Sequence, residues 1–124
     1  MKWVGFAVIA FLSVAPALAQ TAPAKVADTS KGKVLVDAKG MTLYIFEKDD
    51  AGNSTCYGKC AERWPPLAAA ADAKPFGDWS LVTRKDGAKQ WAYKGKPLYT
   101  WEKDKAPGDV SGDGVNNVWR LAIP

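Results

Sequence analysis

Tyr44, Phe46 and Asp49 recur as Tyr99, Trp101 and Asp104 with the same spacing: an aromatic two residues after the tyrosine and an aspartate three beyond that. A phenol, an aromatic ring and a carboxylate in this order can build a ligand or catalytic site, or can serve folding alone. Strand alternation puts Tyr44 and Phe46 on one face, and Tyr99 and Trp101 likewise, so each pair can pack into an interior. A buried tyrosine needs a partner for its hydroxyl. The aspartate lies past the strand end, where it can accept from backbone N–H groups of the turn or from that hydroxyl. Two copies of equal chemistry in one small domain favour the folding role.

Cys56 and Cys60 are the only cysteines. In an exported chain the simplest reading is a disulfide, and four residues of helix would place the two Cα atoms about 6 Å apart, within bridging range. So short a loop adds roughly 2 kcal/mol of stability by the chain-entropy argument. The competing chemistry is redox exchange or Cu(I) binding by the thiolates. With no histidine in the chain, and Met41 the one thioether outside the leader described below, a full coordination sphere is hard to assemble. No metal or cofactor is expected. Asp109-Val110-Ser111-Gly112-Asp113-Gly114 looks like the first half of a calcium loop, but Arg120 stands where the bidentate glutamate belongs, which favours an Asx-held turn. Absent histidine also eliminates Ser-His-Asp and Cys-His nucleophiles. Glu47 and Glu102 could form a carboxylate pair, yet each sits before a lysine and an aspartate, as in a solvated turn. The chain reads as a non-enzyme.

The elements that carry these residues are themselves repeated. Shifting the numbering by 55 superposes Gly32–Trp64 on Gly87–Trp119 with no gap, matching Lys39-Gly40 with Lys94-Gly95 and Glu47-Lys48-Asp49 with Glu102-Lys103-Asp104. A repeat in such register means one supersecondary unit packed against its copy. Each unit reads as a three-stranded meander: Val26 to Thr29, Lys33 to Asp37 and Thr42 to Phe46 in the first, Trp79 to Arg84, Lys89 to Tyr93 and Leu98 to Trp101 in the second. Pro97 opens the last of these, and Lys85-Asp86-Gly87 supplies a hairpin turn. A short helical turn is expected from Gly58 to Trp64, stopped by Pro65-Pro66, and another at Ala68 to Ala73. The fold class is mostly β, with two antiparallel meanders related by a pseudo-twofold axis and sharing one core.

Met1-Lys2, the apolar run Trp3 to Leu18 and the small-x-small Ala17-Leu18-Ala19 read as a cleaved signal peptide, residues 1–19. Residues 20–124 then form a single domain of two repeats, about 25–67 and 80–122. Removing Lys2 leaves sixteen Lys and Arg against thirteen Asp and Glu, interleaved rather than clustered, so nucleic acid is not an expected partner. With no cysteine at the cleavage site, no membrane anchor is expected after cleavage, and the product is a soluble secreted or periplasmic protein.

The two Tyr-x-aromatic-x-x-Asp copies, with Cys56-Tyr57-Gly58-Lys59-Cys60, Trp64-Pro65-Pro66-Leu67 and Pro107-Gly108-Asp109, resemble the bacterial secreted repeat family with a Y-x4-D motif, also described as predicted lipoproteins with a Yx(FWY)xxD motif. The likeness spans nearly all of the chain after residue 19. It implies an envelope protein, often lipid-anchored, from which this chain departs by lacking the lipid-attachment cysteine. It implies no mechanism. The expected role is an envelope module that binds or supports a protein or a glycan. For a glycan, the five tryptophans and four tyrosines after residue 19 could supply stacking faces. The competing role is a redox or copper accessory built on Cys56 and Cys60.

Overall fold

The computed structural model describes Gly5 and residues 21–124; the leader expected at 1–19 lies, Gly5 apart, outside the described residues. Among the described residues no helix is long and apolar enough to cross a membrane. The first repeat opens with β1 (Lys25–Thr29) and β2 (Gly32–Val36), a hairpin in which Lys25 faces Val36. β3 (Tyr44–Phe46), the helical turn α1 (Lys59–Arg63) and β4 (Ala68–Ala69) follow. The second repeat supplies β5 (Trp79–Thr83), β6 (Lys89–Tyr93), β7 (Lys96–Pro97), a 3-10 turn at Val115–Asn117 and β8 (Trp119–Leu121). All strand pairing is antiparallel. Glycine closes the matching turns at Gly40 and Gly95, with φ of 84° and 81°, a conformation a side chain would oppose.

The repeats exchange their last strands. β8, the end of the second repeat, pairs with β3 of the first, Tyr44 opposite Leu121 and Phe46 opposite Trp119. Reciprocally, Pro66 of the first repeat bridges to Tyr99 of the second. Between them Tyr44 N–H donates to Tyr99 O at 2.8 Å and Tyr99 N–H donates to Tyr44 O at 3.0 Å, so the pseudo-twofold axis passes through this pair. The two exchanged ladders are unequal. Proline at 65 removes the N–H group that its counterpart Arg120 contributes on the other side, which shortens the ladder and leaves the expected strand Leu98 to Trp101 with bridges at Tyr99 alone.

Side-chain alternation along the central pair divides the interior in two. Tyr44 and Tyr99 face one cluster with Val34, Val36, Cys56, Trp64, Trp101, Trp119 and Leu121. Leu43 and Leu98 face the other with Leu35, Trp79, Trp91 and Ala122. Both clusters draw on both repeats, so the shared core has two compartments with the central strands between them.

Two expectations from the sequence are corrected. The ungapped offset of 55 conceals a pair of compensating insertions. Leu35 donates to Ala122 O and accepts from Leu43 N–H, and the residue that plays this part in the second repeat is Trp91, bonded to Leu67 O and Leu98 N–H. The middle strands are therefore related by 56: the second hairpin turn, Lys85 to Gly87, is one residue longer than Ser30-Lys31, and the following turn is one shorter. Ala68 to Ala73, expected to be helical, begins as a strand and ends in a turn closed by Ala73 N–H on Ala70 O. Ala68 and Ala69 pair with Gln90 and Lys89, because Pro65-Pro66 delivers the chain in an extended conformation that Leu67 N–H fixes to Leu98 O at 2.9 Å.

Candidate functional site

Each motif tyrosine donates to the aspartate of the other repeat. Tyr44 Oη donates to Asp104 Oδ2 at 2.6 Å, and Tyr99 Oη donates to Asp49 Oδ2 at 2.7 Å. The expected turn contacts are also present, through the second carboxylate oxygen. Asp49 Oδ1 accepts from Thr55 N–H and Oγ1 at 2.8 and 2.9 Å, and Asp104 Oδ1 from Ser111 N–H and Oγ at 3.1 and 2.6 Å. The carboxylate thus ties its own loop to the neighbouring repeat. A tyrosine and an aspartate five residues apart cannot achieve this within one motif, since the strand carries them away from each other.

The phenols are saturated as well. Gly112 N–H donates to Tyr44 Oη at 3.1 Å. At the other centre Arg84 Nη1 donates to Ser54 Oγ at 2.8 Å, and Ser54 Oγ lies 2.5 Å from Tyr99 Oη. Since Tyr99 gives its proton to Asp49, the Ser54 hydroxyl donates to Tyr99, and a directed chain runs from guanidinium through two hydroxyls to carboxylate. Arg84 also donates to Gln90 Oε1 and Cys56 O, and its guanidinium carbon lies 4.3 Å from the centre of the Tyr57 ring. Burial, then the bond to Asp104, pushes the Tyr44 phenol far above its ordinary value of 10. Burial also pushes Tyr99 up, with the Ser54 hydroxyl opposing and Asp49 assisting. Both shifts favour the neutral phenol.

Above these centres lies a four-ring stack, Phe46–Trp119–Trp64–Trp101, with centroid separations of 4.3, 3.7 and 4.0 Å. The order is palindromic under the repeat: the inner tryptophans are equivalents, and so are the outer rings. Tyr44 meets Trp64 edge-on and Tyr99 meets Trp119 in the same way. The stack fixes the size of the residue at 112. A Cβ there would lie 2.8 Å from Trp64 and 2.9 Å from Tyr44, so only glycine admits the loop.

The remaining candidates separate from this assembly. Cys56 and Cys60 are joined in a disulfide, with Cα atoms 5.3 Å apart; Cys56 is fully buried and Cys60 partly buried within α1. The calcium-like loop spends its carboxylates on protein donors. Asp109 accepts from Lys105 and Ala106 N–H, which lowers its pKa, and Asp113 pairs with Lys31 at 3.2 Å. Arg120 bonds Glu47 at 2.9 Å, so that glutamate is committed to a surface ion pair, while Glu102 is exposed. All five described tryptophans are buried. Among the described residues no group of three or more metal-ligating side chains converges, and every buried side-chain nitrogen and oxygen has a partner.

A family model described as a secreted repeat of unknown function matches residues 25–68 and 80–122. The chain belongs to this family of secreted repeats. Its two matched segments coincide with the two units that exchange strands and tyrosine–aspartate bonds. Searches of curated proteins and of solved structures find no match.

Sequence reasoning singled out the six motif residues and the cysteines but not Arg84, Gln90, Ser54 and Thr55, and it took Ser111 and Gly112 only as members of a calcium-like loop. A hydroxyl residue six or seven positions after each motif aspartate was the available signal for Thr55 and Ser111. Arg84 ends an ordinary strand, and nothing local marks it as interior.

Proposed function

We propose that this secreted repeat protein is a non-enzymatic binding module of the cell envelope, periplasmic in a Gram-negative host, whose partner is a protein. The observation that carries this reading is the full commitment of the motif. Tyr44, Asp49, Tyr99 and Asp104 bond one another and their loops: each phenol donates one bond and accepts another, and each carboxylate accepts three. A glycan partner is the weaker choice because stacking on sugar needs open ring faces, and the tryptophans are buried. Against a redox or copper accessory stands the closed Cys56–Cys60 bridge, one sulfur of which belongs to a wholly buried residue.

The test is a pull-down from an envelope fraction, with the chain from Gln20 onward as bait. A protein recovered in near-stoichiometric amount is the expected outcome. Retention of glycan alone would move the partner to the other class. Turnover of any envelope component by the purified protein would overturn the non-enzymatic reading.

A further inference from the structure

The exchanged scaffold is symmetric, so chemistry absent from one repeat is chemistry that the fold does not require. One such difference surrounds a groove of about 500 Å³ lined by Phe46, Lys48, Lys59, Cys60, Arg63 and Trp64, and by Asn116, Val118 and Trp119 from the second repeat. Its volume is within the range of small-ligand sites. Lys59 and Arg63 lie on α1, and the offset of 55 places Gly114 and Val118 at their counterparts. Lys48 does have a basic counterpart, Lys103, but that residue is not part of the groove.

Three features converge on the charge of an occupant. Among the described residues the ion pairs are Lys31–Asp113, Lys33–Asp28 and Arg120–Glu47, so Lys48, Lys59 and Arg63 have no carboxylate within bonding distance. The two inner tryptophans line the groove, yet both faces of each ring are covered within the stack. They therefore present ring edges, the electropositive part of the aromatic quadrupole. Asn116 adds an amide. Cations, ring edges and an amide together select carboxylate or a similar oxyanion.

We infer that this groove seats an acidic segment of a polypeptide, its carboxylates set against Lys48, Lys59 and Arg63; the inference rests on the binding-module reading and names the partner's chemistry. The test measures a fluorescein-labelled hexaglutamate peptide by anisotropy at about 50 and 150 mM salt, where screening separates charge-driven binding from apolar association. The expected result is binding that weakens with salt and falls about tenfold or more in K59E/R63E. K59Q/R63Q should lose less, and K103E, outside the groove, should bind as the parent does. An unchanged melting temperature in K59E/R63E excludes unfolding as the cause. Hexaglutamate binding that is absent, or equal in the parent and K59E/R63E, overturns the inference. So does tighter binding of oligogalacturonate or of phosphatidylglycerol vesicles, which would give the groove to a glycan or a lipid. If K59E/R63E still recovers the envelope partner while losing hexaglutamate, the module reading stands and the groove is not its site.

Discussion

The two tyrosine–aspartate centres solve one problem with different means. At the Tyr44 centre the phenol accepts from a backbone N–H, Gly112, and the loop presses against the tryptophan stack with no room for a Cβ. At the Tyr99 centre the corresponding space admits Ser54 and a buried arginine, which brings Gln90 and the carbonyl of Cys56 into the same network. The first centre is neutral apart from its aspartate. The second places a guanidinium and a carboxylate at opposite ends of two hydroxyls, so the charge of Asp49 is balanced inside the fold. The two centres share the cross-repeat bond, the hydroxyl residue that bonds each aspartate and the tryptophan edge on each tyrosine, and they differ in the donor to the phenol, which marks the shared set as the constraint.

The largest effect expected from this comparison comes from separating its halves. A fragment ending near Ala73 and one starting near Lys74 each keep a tyrosine whose acceptor, and a strand whose partner, lies on the other fragment. Neither alone should show a cooperative urea transition, and mixing the two should restore one. A half that melts cooperatively as a monomer would reduce the exchange to a surface contact. Next in size is Arg84→Leu, which leaves Gln90 Oε1 and Cys56 O without donors in the interior and should cost roughly 3 kcal/mol or more in urea unfolding. Arg120→Leu, at a partly exposed ion pair, should cost about 1 kcal/mol or less. Equal costs would deny the second centre its interior charge.

The fold was legible in the chain to the depth that local rules reach. Turn glycines, strand alternation and the 55-residue spacing led to antiparallel repeats on a pseudo-twofold axis, and the CysxxxCys spacing led to a bridge. What local rules missed was non-local by nature. Tyr44 and Asp104 are sixty residues apart, and their pairing depends on which strand Trp119–Leu121 joins, a choice made by packing of the ring stack rather than by any propensity. The compensating insertions at the two turns were invisible because each cancels the other in the alignment. Arg84 was unreadable because its burial is set by Ser54, Cys56 and Gln90, none of them sequence neighbours.

The exchange itself is tested by double-mutant cycles. Tyr44→Phe and Tyr99→Phe should each cost about 1 to 3 kcal/mol, because each strands a buried acceptor and a buried donor. Combining Tyr44→Phe with Asp104→Asn should show coupling, since the second change removes a partner the first has already orphaned. Combining it with Asp49→Asn, the aspartate of its own motif, should be additive to within about 0.5 kcal/mol. Coupling within a motif and additivity across the axis would restore the local pairing that the sequence first implied.

The smallest effect is a slope in alkaline solution. In the unfolded chain both phenols ionise near their ordinary value of 10, while folding holds the protons on Tyr44 and Tyr99 to a higher pH. Above pH 10 the folded chain therefore binds more protons than the unfolded one. Stability from this source is complete below that pH and declines as the pH rises, by up to about 1.4 kcal/mol per pH unit for each tyrosine. Between pH 10 and 11, where the unfolded phenol is only partly ionised at the start, either Tyr→Phe variant should lose about 1 kcal/mol less stability than the parent, with lysine titration common to all three. Parallel pH profiles for the parent and both variants would mean that the phenols ionise freely in the folded state. The exchanged hydrogen bonds would then contribute nothing to what holds the two repeats together.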